Sequence, residues 1–228
     1  MIQIGEGAWQ ISVMPRQSVN CYLLGDVLVD AGIKRSGRKL LSALQGKAVG
    51  AHVLTHAHPD HQGATAEMCR ALNLPLRCLA AEREAAETGY VLGAVPNPTS
   101  LMARMQQRFF AGEGYPVART LVEGDKVGGF EVVETPGHTG GHISFWRASD
   151  GVLIAGDAAV GMNLFTTVPR LGLPLDIATW DMGAARASIR KLAALKPRRV
   201  AFGHGPAVDG ASFVQFADTA GTGCGRWR

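Results

Sequence analysis

Between positions 55 and 61 the chain reads Thr55-His56-Ala57-His58-Pro59-Asp60-His61, three imidazoles and one carboxylate within six residues. No other stretch limits the possible folds so strongly. Donors of this borderline type suit zinc, iron or manganese, and they serve a metal only where the backbone turns them toward a common point. The local pattern allows that. Ala51-His52-Val53-Leu54 reads as a short buried strand, and a helix is expected from Asp60 to Leu72, ending before Asn73 and Pro75. The run therefore lies in a strand-to-helix loop at a sheet edge. His56 and His58, two apart in extended backbone, point the same way. Asp60 and His61, on the first helical turn, face a second point nearby.

Three further segments repeat the placement. Pro136-Gly137-His138 ends a strand at Thr135, Gly156-Asp157 ends the strand Val152 to Ala155, and Gly203-His204-Gly205-Pro206 ends the strand Arg199 to Phe202. Each sets a ligand-competent side chain just past a strand, in a glycine-bearing loop where the backbone turns sharply. Taken singly, His138, Asp157 and His204 read as turn residues. Together with the first run, they make the four converging loops that a shared metal site requires.

The rest of the sequence reads as one domain, 1–228, with no repeat and no low-complexity linker. Strand patterns at Trp9 to Val13, Asn20 to Leu24 and Val27 to Val29 fill the first third, before a helix from about Ser36 to Leu44. Strands return at Phe130 to Glu134 and His142 to Trp146. Thr179 reads as the N-cap of a helix whose stripe is Ala185, Ile189, Leu192 and Leu195. Strands in both halves with helices interspersed predict two packed sheets covered by helices, an α/β (α+β) arrangement. The section 80–117 is more helical. Its Leu101, Met102, Met105 and Phe109 recur at helical spacing and are read as a core-facing stripe, with a lid or a dimer surface as the alternative. Residues 207–228 are expected to form a short tail.

At 46% hydrophobic and 18% charged the chain is ordinary for a globular domain. No apolar run reaches the roughly 18 residues of a membrane helix, and the start at Met1 lacks the pattern of a signal peptide, so a cytoplasmic location is expected. The four cysteines, Cys21, Cys69, Cys78 and Cys224, are irregularly spaced and are read as reduced core thiols. The net charge of +4 permits nucleic-acid contact, but no basic block exceeds Lys196-Pro197-Arg198-Arg199. Nucleic acid is therefore not the expected partner.

From Val19 to Pro206 the sequence resembles the metallo-β-lactamase superfamily. The motifs that carry the likeness are Asp30 in Val29-Asp30-Ala31-Gly32, the His56-x-His58-x-Asp60-His61 run, His138 in its Pro-Gly-His-Thr turn, Asp157 and His204. The resemblance implies a four-layer αββα sandwich with a metal cleft at one edge of its sheets. It implies two divalent ions, zinc foremost, with manganese or iron as alternatives. It also implies a partition: His56, His58 and His138 on the first metal, Asp60, His61 and His204 on the second, and Asp157 bridging. Asp30 is expected to orient a ligand imidazole by hydrogen bonding. For His142 two readings stand, a histidine beside the site or a strand-start residue bonded to backbone. His52 and Cys69 are read as structural.

Such a centre keeps a net positive charge, holds a hydroxide at neutral pH and polarises a carbonyl or phosphoryl oxygen. Asp60 is placed to take up a proton as the intermediate collapses. The expected activity is hydrolysis of a small ester, thioester or lactone. Met162, Leu164 and Phe165 after Asp157, with Met105 and Phe109 of the helical section, are candidates for an apolar acyl pocket. A small RNA or DNA phosphodiesterase and an iron-dependent oxidoreductase acting on persulfides are the alternatives. A homodimer is the one macromolecular partner the sequence suggests.

Overall fold

The computed structural model describes residues 1–220. Seven strands make the first sheet, in chain order: β1 (Ile2–Gly5), β2 (Ala8–Ser12), β3 (Asn20–Leu24), β4 (Val27–Val29), β5 (Ala51–Val53), β6 (Leu76–Leu79) and β7 (Val117–Leu121). β1 to β4 pair antiparallel and β4 to β7 parallel. The second half supplies β8 (Lys126–Val127), β9 (Phe130–Glu134), β10 (Ile143–Arg147) and β11 (Val152–Ile154). A separate ribbon, β12 (Val160–Met162) with β13 (Pro169–Gly172), comes next, and then β14 (Arg199–Ala201) and β15 (Val208–Asp209). The second sheet runs β15-β14-β11-β10-β9-β8.

Period-two alternation decides what each sheet buries. Tyr22, Leu24, Val27 and Val29 of the first sheet meet Phe130, Val132, Phe145 and Ile154 of the second across the central core. The intervening side chains point outward. Cys21, Leu23 and Leu28 pack under α1 (Gly37–Ala43) and α3 (Thr65–Leu72) through Leu40 and Met68. Val133, Leu153 and Val200 pack under α6 (Met182–Ala194) and α7 (Gly210–Ala220) through Ile189, Leu192 and Phe213. The layers are thus helix, sheet, sheet, helix. Among the described residues no helix is long and apolar enough to cross a membrane.

Four local expectations are corrected. The helix expected from Asp60 to Leu72 is two helices, α2 (Pro59–Gln62) and α3, parted at Gly63. The Gly63 N–H bonds to Gly32 O at 2.7 Å instead of continuing the ladder. A Cβ there would sit 2.3 Å from the Lys34 nitrogen. Close approach of another loop breaks the helix.

Thr179 does not cap α6; Asp181 does, accepting the Ala184 N–H at 2.9 Å.

The stripe on α5 (Leu101–Phe109), which follows α4 (Arg83–Thr88), does not face the core. Leu101 is 75% exposed and Met102, Met105 and Phe109 about half exposed, while Ala103 is the buried residue. Gln107 anchors the helix instead, through the Val91 N–H and the Gly89 carbonyl. Polar contacts on one side leave the apolar side outward.

After His204 the chain forms β15 and α7, with Phe213 and Ala217 buried in the outer core, rather than a plain tail. Cys21, Cys69 and Cys78 are free and buried; Cys224 lies outside the described residues.

Candidate metal centre

Four loops past strand ends converge at one edge of the sandwich. The β5–α2 turn carries His56 and His58, and the start of α2 carries Asp60 and His61; the β9–β10 loop carries His138; the loop after β11 carries Asp157; the loop after β14 carries His204. The imidazoles of His56, His58 and His138 lie with ring centroids 4.6–4.9 Å apart. Donor atoms within each of three groups lie within 4.8 Å of one another: His56 with His58 and His138, His56 with His61 and Asp157, and Asp60 with His61 and His204. Asp157 Oδ2 stands 3.0 Å from His204 Nε2, 3.4 Å from His61 Nε2 and 3.6 Å from His138 Nε2, between the outer two groups.

In His56, His61, His138 and His204, Nε2 is freed by a bond that occupies Nδ1. Asp30 Oδ2 accepts the Nδ1–H of His61 at 2.8 Å and the Thr55 hydroxyl at 2.8 Å. With its proton committed, Thr55 Oγ1 accepts from His56 Nδ1 at 3.0 Å. The same logic holds His138: Thr179 donates to Leu175 O at 2.8 Å, so it accepts from His138 Nδ1 at 3.1 Å. The Ser18 carbonyl accepts from His204 Nδ1. Such partners fix tautomer and orientation and make a ligand nitrogen more basic. Asp30 Oδ1 also accepts the Thr55 N–H at 2.8 Å, and the residue reaches these three donors from left-handed backbone, φ 58°, a conformation uncommon for a residue with a side chain.

Nε2 of His56, His61 and His138 and Oδ1 of Asp157 are buried without a hydrogen-bond partner. Buried polar atoms are normally satisfied, and each orphan costs about 1–3 kcal/mol. Four of them around one small volume fit a cation pair, and the mixture of imidazole and carboxylate is what zinc, manganese or iron accepts.

Electrostatics agree. Burial, reinforced by neighbouring imidazoles, holds His56 and His138 well below the ordinary histidine range, so they are neutral donors. Burial is the largest single influence and works against charge on His61 and His204, but carboxylates together overcome it: Asp157 with Asp30 raises His61, and Asp157 with Asp60 raises His204 to about 9. Asp157 in turn is held well below its ordinary value, because His204 and His61 outweigh its own burial. The raised His61 and His204 thus balance the charge of Asp157 in the metal-free protein.

His142 meets both readings at once. Its Nε2 accepts the backbone N–H of Asp157 at 2.9 Å, so its Nδ1 carries the proton and donates to Thr135 Oγ1 at 2.8 Å. Thr135 passes the direction on to Ser144, which donates to the Ala155 carbonyl. His142 belongs to a backbone-anchored chain that holds Asp157 in place. Burial lowers it to about 4. His52 spans Leu28 O and Thr65 Oγ1 inside the fold.

A small cavity of about 70 Å³ opens onto the cluster, lined by His58, Asp60, His138, Asp157 and His204 and walled by Val95, Gln106, Val160, Leu164, Pro174, Leu175 and Ala178. Of the five apolar residues expected here only Leu164 lines it. Met162 is fully buried, and Phe165, Met105 and Phe109 are exposed away from its wall. Sequence reasoning missed Gln106, Leu175, Thr179, Ser18 and Glu82. Thr179 alone carried a signal, and that signal pointed to a helix cap.

The family model described as the metallo-beta-lactamase superfamily matches residues 14–204. The chain belongs to that superfamily. It is 30% identical over 210 residues to the probable metallo-hydrolase YflN of Bacillus subtilis, covering 82% of this chain and 78% of that protein. It is 40% identical over 104 residues to the hydroxyacylglutathione hydrolase of Rhodospirillum rubrum, covering 42% of this chain and 36% of that one. Among solved structures, TTHA1623 in a di-iron-bound form superposes with a TM-score of 0.68 at 32% identity, covering 89% of this chain and 95% of that one.

Proposed function

We propose that the chain hydrolyses a small, uncharged ester, thioester or lactone at a two-cation centre, with His56, His58 and His138 holding one ion, Asp60, His61 and His204 the other, and Asp157 between them. The observation that carries this reading is the cavity wall. Apart from the ligand groups, the lining side chains are apolar except for the neutral amide of Gln106. An acyl group finds apolar contact there, and a phosphodiester finds no lysine or arginine to neutralise it.

Two divalent ions would supply Lewis acidity and a water-derived nucleophile at neutral pH. The chain's own part is orientation and proton handling. Asp60 is the most exposed carboxylate of the cluster, at 24%, and lies 3.4 Å from His204 Nε2. It faces the cavity and is placed to carry a proton toward the leaving group. Thr55, Thr179, Asp30 and Ser18 keep the imidazoles fixed, so little reorganisation accompanies the reaction. Likeness to a hydroxyacylglutathione hydrolase over part of the chain supports a thioester among the substrates. Zinc is the first expectation for the metal. Iron is the second reading, favoured by the di-iron form of TTHA1623.

Metal-free protein reloaded with zinc, manganese or iron and offered lactones, thioesters and phosphodiesters tests the proposal. Turnover of neutral acyl substrates in at least one metal form is expected. Phosphodiester cleavage alone, or no metal uptake, would overturn it.

A further inference from the structure

Glu82 closes the short 3-10 turn Ala80–Glu82 after β6, and its side chain is buried. Its carboxylate accepts three hydrogen bonds. Oε2 takes the backbone N–H of Ala57 at 2.9 Å; Oε1 takes the Thr139 hydroxyl at 2.6 Å and the Gly141 N–H at 2.9 Å. Ala57 stands between His56 and His58, and Thr139 follows His138. One carboxylate, from a third segment, therefore ties together the two loops that carry all three imidazoles of the first cluster.

The fit is tight. A Cβ on Gly141 would lie 2.7 Å from both Cγ and Oε1 of Glu82. Two residues of the Pro136-to-His142 turn, Thr139 as a donor and Gly141 as open space, are thus explained by a residue more than fifty positions earlier. Glu82 itself does not line the cavity. A buried carboxylate serving only a turn would bond within that turn; every donor to Glu82 belongs to a ligand-bearing loop.

We infer that Glu82 is the positioning residue for the cation position formed by His56, His58 and His138: it sets the separation of the two loops and so the spacing of their donors. The inference rests on the metal-centre reading above. An amide cannot replace the carboxylate. Glutamine has one acceptor oxygen, and its NH₂ would face a donor on one loop or the other.

The test is cobalt binding, read in a His204→Ala background so that the first position is observed alone. Metal-free Glu82→Gln is expected to keep the parental far-UV circular dichroism, to bind cobalt at least tenfold more weakly, and to show an altered visible cobalt band. Parental affinity with a parental band would overturn the inference. Should Glu82→Gln fail to fold, Thr139→Val, which removes one donor and keeps the shape, decides on the same two readouts. Cobalt failing to bind the His204→Ala parent at all would overturn the two-cation reading and this inference with it, which tells the two failures apart.

Discussion

Asp30 and His61 are joined at 2.8 Å, Oδ2 to Nδ1, with both side chains buried. The bond points His61 Nε2 at Asp157, and the same carboxylate reaches His56 through the Thr55 hydroxyl. One aspartate thus orients an imidazole in each half of the cluster. Asp30→Ala strands the Thr55 N–H and His61 Nδ1, each at a cost of about 1–3 kcal/mol. Zinc affinity should drop by roughly 10–100-fold. Equilibrium dialysis against a chelator reads this, and unchanged affinity would show that the orientation is dispensable.

His58 and His142 should separate cleanly. His58→Ala removes a donor of the first group and should abolish one metal equivalent and turnover with it. His142→Ala unpairs the Asp157 N–H but leaves every donor in place, so metal content should stay near parental while turnover falls modestly. Elemental analysis beside a rate assay decides, and loss of a whole equivalent from His142→Ala would make that residue a ligand.

The metal-free protein should respond to pH through His204. Its folded value, about 9, lies above the ordinary 6.5, so the folded chain holds a proton that the unfolded chain has released between those values. The stability it contributes is complete below about 6.5 and is lost as pH rises through about 9. Melting temperature should decline over that interval in the metal-free protein, and by less in His204→Ala. Cations must displace the same proton, so zinc affinity should rise with pH up to about 9. A melting temperature or an affinity independent of pH there would contradict the His204–Asp157 pairing.

Burial pushes the Cys69 and Cys78 thiols up to about 12 and raises Cys21 as well. With Cys224→Ser removing the fourth thiol, the folded protein should not react with a disulfide reagent at pH 8, and the three buried thiols should react in denaturant. Rapid labelling of the folded variant would show that one of these core positions opens.

The sequence by itself determined the parts of this protein that are local. A strand followed by His-x-His-x-Asp-His, and three glycine-bearing turns past other strands, place seven donors at sheet edges because backbone geometry within a few residues fixes where they sit. Alternation along the strands likewise marks the inward faces of two sheets. Tertiary structure decided what those residues meet. Thr179 reads as a cap by spacing, yet its hydroxyl is spent on His138, 41 positions away. The stripe on α5 is legible as a face but not as an exposed one, since periodicity shows which residues share a side and not what that side touches. Glu82, Ser18 and Gln106 carry no motif; only the packing of remote segments brings each to the centre. Such contacts depend on chain closure over long separations, which no local pattern encodes.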